Sequence, residues 1–159
     1  MIVVDASAVL DGLLDPEGHP EITAVLVGAD EPVAAPDLLD IEVLHVLRRW
    51  EQCREITTTR ARQALDDLQA LPIVHHPARI LIDTAWTMRR TLSAYDAQYV
   101  ALAKALSGTL LTTDRRMANA ARQLRVAVAQ SSSDVSSSSS NPRNRSASST
   151  SVSSGSASA

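Results

Sequence analysis

Short β-branched runs alternate along this chain with longer stretches of helical spacing, and that alternation constrains its fold more than any other feature. The runs are Ile2-Val3-Val4, Pro32-Val33-Ala34-Ala35-Pro36, Pro72-Ile73-Val74-His75, Thr109-Leu110-Leu111-Thr112 and Val126-Ala127-Val128. Between them apolar residues recur at intervals of three and four, which predicts helices over residues 7–14, 20–27, 37–54, 57–71, 79–90, 94–107 and 115–124. Pro20 suits a first helical turn, Thr57 to Thr59 offer an N-terminal cap, and Gly108 is placed as a helix stop. A strand that returns only after a helix pairs in parallel with its predecessor, and the helices cover the sheet. The expected fold is α/β: a three-layer α/β/α sandwich around a central, mostly parallel sheet, with residues 126–128 as an edge strand.

Composition separates two regions. Residues 131–159 hold 16 serines among 29 residues, too little apolar material to offset the entropy of ordering them. They are expected to form a disordered tail with no assigned role behind a single domain, residues 1–130. That domain is acidic, with thirteen basic against seventeen acidic side chains, which argues against a surface built wholly to coat nucleic acid. The single cysteine, Cys53, excludes an internal disulfide and a multi-cysteine zinc site. No apolar run approaches the roughly 18 residues that a membrane span needs. The opening Met-Ile-Val-Val-Asp has no basic leader, so a cytoplasmic location is expected and no membrane partner.

In a parallel α/β sheet, ligands bind beyond the carboxyl ends of the strands. Asp5 and Asp114 follow two of the predicted strands there. Both also precede helices, where aspartate is a good cap. Asp96 stands three residues after Ser93, in a capping-box pattern that would explain it equally well. Glu42 lies inside the predicted 37–54 helix among Leu38, Leu39, Ile41 and Val43, past any capping position. It reads either as a solvated residue beside the apolar stripe or as a carboxylate that needs a compensating cation. Were the four to converge, they would repel by about 4 kcal/mol per pair at 4 Å in an effective dielectric of 20. A hard divalent ion would neutralise such a cluster, and oxygen-only ligation suits Mg²⁺ or Mn²⁺ rather than Zn²⁺. An ion of that kind supports hydrolysis of a phosphodiester.

The same residues carry a family resemblance. Val3-Val4-Asp5-Ala6-Ser7-Ala8, Ala35-Pro36-Asp37-Leu38-Leu39-Asp40-Ile41-Glu42-Val43, Leu92-Ser93-Ala94-Tyr95-Asp96-Ala97-Gln98-Tyr99-Val100-Ala101-Leu102-Ala103 and Leu110-Leu111-Thr112-Thr113-Asp114-Arg115-Arg116 occur in this order and span nearly the whole domain. In them the chain resembles a PIN domain, specifically the VapC-type toxin ribonucleases of bacterial type II toxin–antitoxin pairs. The resemblance implies a Mg²⁺- or Mn²⁺-dependent endoribonuclease whose acidic quartet falls on Asp5, Glu42, Asp96 and Asp114. It places Thr112 beside the metal, with Ser7 a lesser candidate for the same neighbourhood. It also implies a homodimer, an RNA substrate and a small antitoxin that covers the site. Some members add an acidic residue just after the last of the quartet. Here Arg115, Arg116, Met117 and Asn119 follow instead, which leaves one ion or two open.

Two other readings start from the same residues. A phosphatase of the aspartyl-phosphate type also opens with an aspartate after its first strand, but it expects a second two residues later, where this chain has Ser7. A catalytically degenerate PIN domain would serve only as a protein-binding module. His75 and His76 are adjacent on a predicted strand and point to opposite faces, as one core and one surface residue rather than a metal pair. His19 and His45 have no evident partner. Arg48-Arg49, Arg89-Arg90 and Arg115-Arg116 could contact phosphates, the last pair most directly because it adjoins Asp114. With no phenylalanine and four other aromatics, backbone and shape recognition of RNA is expected rather than a base-stacking platform.

Overall fold

The computed structural model describes residues 1–28 and 31–129. Gln130 and the expected Ser-rich tail, 131–159, lie outside the described residues. Five strands form one sheet: β1 (Ile2–Val4), β2 (Val33–Pro36), β3 (Ile73–His76), β4 (Thr109–Leu111) and β5 (Ala127–Ala129). Their order is β3-β2-β1-β4-β5, and every pairing is parallel. Seven α-helices join them: α1 (Ala6–Leu14), α2 (Pro20–Leu26), α3 (Leu39–Gln52), α4 (Thr58–Ala70), α5 (Ile82–Thr87), α6 (Ala94–Ala105) and α7 (Arg115–Gln123). The chain winds outward from β1 through β2 to β3, then crosses back to β4 and β5 on the other side. With right-handed crossovers this lays α1–α4 on one face and α5–α7 on the other. The packing agrees, since α1 contacts α2, α3 and α4, whereas α6 lies against β1, β2 and β4. The expected sandwich is thus observed, with a sheet that is parallel throughout.

The middle strands are apolar on both faces because both faces are covered. Val3, Val4, Ala34, Ala35, Leu110 and Leu111 are all buried, and Ile22, Leu39, Val43, Leu102 and Ala121 close over them from the helices. No helix among the described residues is long and apolar enough to cross a membrane.

Several boundaries differ from expectation, each for a local reason. α3 starts at Leu39 rather than at residue 37, because Asp37 is held to the sheet: its N–H donates to the His76 carbonyl and its carboxylate accepts from Ala78 N–H. The same helix stops at Gln52, and Arg54 turns left-handed with φ 61°. The expected helix over residues 79–90 breaks into a 3₁₀ turn, Ala78–Leu81, and the short α5. There the Thr87 hydroxyl donates back to the Thr84 carbonyl, competing with the helical ladder. Gly108 is not the left-handed stop of α6. Ser107 takes that conformation, with φ 49°, while Gly108 N–H reaches back to the Ala103 carbonyl at 2.8 Å. Glycine is required there for another reason: a Cβ would sit 2.8 Å from the Met1 carbonyl oxygen. β5 is displaced by one residue from the expected 126–128 and forms the edge as anticipated.

Leu110 sits fully buried at the centre of β4. Leu110→Ala is expected to lower stability by about 3 kcal/mol through lost burial and a residual cavity, read as a shift of the urea midpoint at unchanged slope.

Candidate active site

The winding direction reverses between β1 and β4, and a doubly wound sheet opens its ligand crevice at such a reversal, beyond the carboxyl ends of the strands. Val4 pairs with Leu111 on the last rung. Asp5 extends the ladder by one residue, its N–H donating to the Leu111 carbonyl at 3.3 Å. Its side chain is buried at 3% exposure and caps α1 by accepting from Ala8 N–H at 2.9 Å. Ser7 Oγ lies 2.9 and 2.8 Å from the two carboxylate oxygens, and Thr112 Oγ1 donates to Oδ2 at 2.8 Å. Each hydroxyl also accepts from the next loop: Thr112 from Asp114 N–H at 3.0 Å, Ser7 from Thr113 N–H at 3.1 Å. Asp5, Ser7 and Thr112 thereby lock the loop after β4 to the end of β1.

Asp114 is exposed and caps α7, accepting from Arg116 and Met117 N–H at 2.7 and 3.2 Å. On the opposite side, Glu42 occupies the first turn of α3 rather than the helix interior expected from sequence, because the helix begins two residues later. It is half-buried and accepts a hydrogen bond from the Tyr99 hydroxyl. Asp96 lies in the first turn of α6, where Ser93 Oγ accepts from its N–H at 3.1 Å. The structural roles foreseen for Asp5, Asp114 and the Ser93 cap are therefore all present, but a solvated Glu42 is not.

These carboxylates act on one another. Burial raises the Asp5 pKa from 3.8 to about 6 against the hydrogen bonds from Ala8, Thr112 and Ser7, and Asp114 adds a further upward push. Burial likewise raises Glu42, opposed by the Tyr99 hydrogen bond and reinforced by Asp96. The Tyr99 phenol is driven upward by burial, by its bond to Glu42 and by the charges of Glu42, Asp5 and Asp96, so it stays a protonated donor. Three carboxylates thus bear on one phenol, which ties the Asp5 side of the cluster to the Glu42 side. As the side chains stand, no three His, Cys, Asp or Glu groups among the described residues are gathered around one point as ligands. Asp5 is turned toward its hydroxyl partners and Glu42 toward Tyr99. The donor set fits a hard divalent cation: it offers carboxylate oxygen alone, and the neighbouring charges that raise Asp5 and Glu42 are themselves negative.

Tyr99 was not singled out by sequence reasoning. Its signal was available, since it follows Asp96 by three residues and so shares a helix face with it. The histidines stand apart from the cluster. His75 is exposed and pairs with Asp40 at 3.3 Å, while His76 is partly buried with its Nε2 enclosed and unbonded. The three arginine doublets are exposed, and Arg89 stacks over the Trp86 ring at 4.9 Å.

Comparison with known proteins bears on the same stretch of chain. A family model described as PIN domain matches residues 2–123. Ribonuclease VapC1 of Mycobacterium tuberculosis is 46% identical over 121 residues, covering 74% of this chain and 89% of its own. Ribonuclease VapC9 of the same organism is 39% identical over 119 residues, covering 75% and 90%. The crystal structure of M. tuberculosis VapC20, described as a sarcin–ricin loop cleaving toxin, superposes with a TM-score of 0.55 at 18% identity over 76% of this chain and 95% of that one, a likeness of fold.

The Asp5 shift fixes the sign of a pH effect. A carboxyl bound more tightly to its proton in the folded state stabilises the fold below pH 4 and loses that contribution as the pH rises through about 6. In EDTA, Asp5→Asn should therefore gain stability relative to the parent protein between pH 4 and 7, by up to about 3 kcal/mol. Denaturant titrations of both proteins at the two pH values measure it.

Proposed function

The chain belongs to the PIN-domain family and is closely related to its VapC ribonucleases, and from that premise we propose that it is a metal-dependent endoribonuclease, the toxin of a toxin–antitoxin pair. The observation that carries the proposal is the linked electrostatics beyond the β1/β4 reversal: the Asp114 charge acts on Asp5, the Asp96 charge acts on Glu42, and Asp5, Glu42 and Asp96 all bear on the Tyr99 phenol. Those four residues would hold Mg²⁺ or Mn²⁺. When bound, such an ion supplies the positive charge that activates a water and neutralises charge building on a phosphodiester in an in-line displacement.

The chain's own side chains do the positioning. Ser7 and Thr112 hold the Asp5 carboxylate by their hydroxyls, and Thr112 also fixes the backbone that presents Asp114. Arg115 and Arg116, exposed at the start of α7 beside Asp114, would contact phosphates of the RNA. An RNA is the substrate, read mainly through its backbone and shape. The small antitoxin would cover this edge of the sheet. Ile80, Ile82 and Trp86, each more than half exposed along the 3₁₀ turn and α5, support association of two copies of the chain through that face. The assignment of residues 1–130 as the nuclease unit and of 131–159 as a dispensable tail is part of the same proposal.

Two measurements test it. RNA cleavage is expected with Mg²⁺ or Mn²⁺ and is expected to disappear with EDTA. Undiminished cleavage by metal-stripped protein would end the carboxylate mechanism. Glu42→Gln should abolish cleavage while the metal-free melt is unchanged or raised, since one charge leaves a like-charge cluster. A surface glutamate would instead leave cleavage intact and shift stability by no more than about 0.5 kcal/mol.

A further inference from the structure

Glu42 and Asp96 belong to helices on opposite faces of the sheet, and one side chain joins them. Tyr99 is 2% exposed on α6, the helix that packs on β1, β2 and β4. Its hydroxyl is carried across to α3, where it donates to Glu42 Oε2. Asp96 and Tyr99 are three residues apart and share a helix face. A phenol this rigidly packed, with Val100, Ala101 and Leu102 buried around it in the chain, has little freedom to follow a wandering carboxylate. The bond instead dictates where the carboxylate goes. Glu42 has three side-chain torsions and stands in the first turn of α3 beside exposed Ile41, so without a partner it could swing to solvent.

We infer that Tyr99 is the positioning residue that holds Glu42 for ligation, fixing one carboxylate oxygen, Oε2, to the side of α6 that also carries Asp96. In this arrangement α6 delivers two things to the site: its own Asp96, and through Tyr99 the orientation of a carboxylate from the opposite layer. The role rests on the metal-dependent reading of the cluster and adds to it a residue outside the quartet. Partners of this kind, which orient a ligand without touching the ion, typically contribute 10- to 100-fold to metal affinity.

The test uses Mn²⁺ alone as the probe and the full chain. Tyr99→Phe removes the hydroxyl and keeps the ring, so the metal-free melt reports folding separately from binding. Mn²⁺ titration followed by the electron-spin-resonance signal of free Mn²⁺ should show affinity weakened by about tenfold. In a double-mutant cycle the Tyr99→Phe effect should vanish on a Glu42→Gln background, because a residue acting through Glu42 has nothing left to orient. An effect of equal size on both backgrounds would mark a merely structural role and overturn the inference, as would Mn²⁺ affinity equal to that of the parent protein. The parent protein offers a reading that needs no Tyr99 variant. It has two tyrosines, so ¹³Cζ-tyrosine spectra carry two signals, with Tyr95→Phe assigning them. Mg²⁺ should shift the Tyr99 signal, and Glu42→Gln should abolish the shift. A Tyr99 signal indifferent to saturating Mg²⁺ overturns the role of Tyr99 while leaving metal binding standing. A parent protein that binds neither ion overturns the metal reading itself.

Discussion

The pairing of β1 with β4 is the constraint on which the rest of the molecule depends. These strands are far apart in sequence, and their register sets Val4 against Leu111 at the last rung. One residue further, the ladder delivers Asp5 and Thr112 to the same spot, where burial would make an unpartnered carboxylate expensive. The Ser7 and Thr112 hydroxyls and the Ala8 N–H meet that need. A slip of one residue would turn the alternating side chains to the other face and separate all of these partners. The winding also reverses at this pair, and a doubly wound sheet opens its ligand crevice at such a reversal.

Around that pair the two helical layers contribute differently. α1 and α7 supply caps, and their capping aspartates are members of the acidic group. Asp114 caps α7 through Oδ1, whereas both oxygens of Asp5 are engaged, Oδ1 by the Ala8 N–H and Oδ2 by the Thr112 hydroxyl. α3 and α6 approach from opposite faces, and their first turns, not their interiors, reach the edge. The electrostatic outcome is a region held against its own charge. Asp5 and Glu42 both carry raised pKa values from burial, and the nearby charges acting on each come from Asp114 and Asp96. A fold that gathers like charges in this way gives up stability at a place where function is to be sought.

The apolar surface divides the molecule again. Ile80, Ile82 and Trp86 are exposed on the same segment that fails to form one long helix. Leu81, Ala85 and Met88 point inward from that segment while Ile80, Ile82 and Trp86 stay outside. The segment thereby presents an apolar face on the layer that also contains α6.

Much of this was legible in the amino-acid sequence. Buried parallel strands must be apolar on both faces and must be separated by helices, so runs such as Ile2-Val3-Val4 and Leu110-Leu111 declared the sheet and its class. The position of Asp5 and Asp114 after strands followed from the same pattern. Tertiary structure alone decided what periodicity cannot carry. Helix starts moved where a side chain or strand neighbour offered a better partner, as Asp37 shows by remaining with β3 and placing Glu42 in a first turn. The left-handed residue ending α6 became Ser107 because Gly108 was needed for close approach to Met1. The bond from Tyr99 to Glu42 joins residues 57 positions apart on opposite layers, and no local spacing encodes it. Local pattern reports what each segment buries; which polar groups then face one another depends on register and layer packing, and those exist only once the chain has folded.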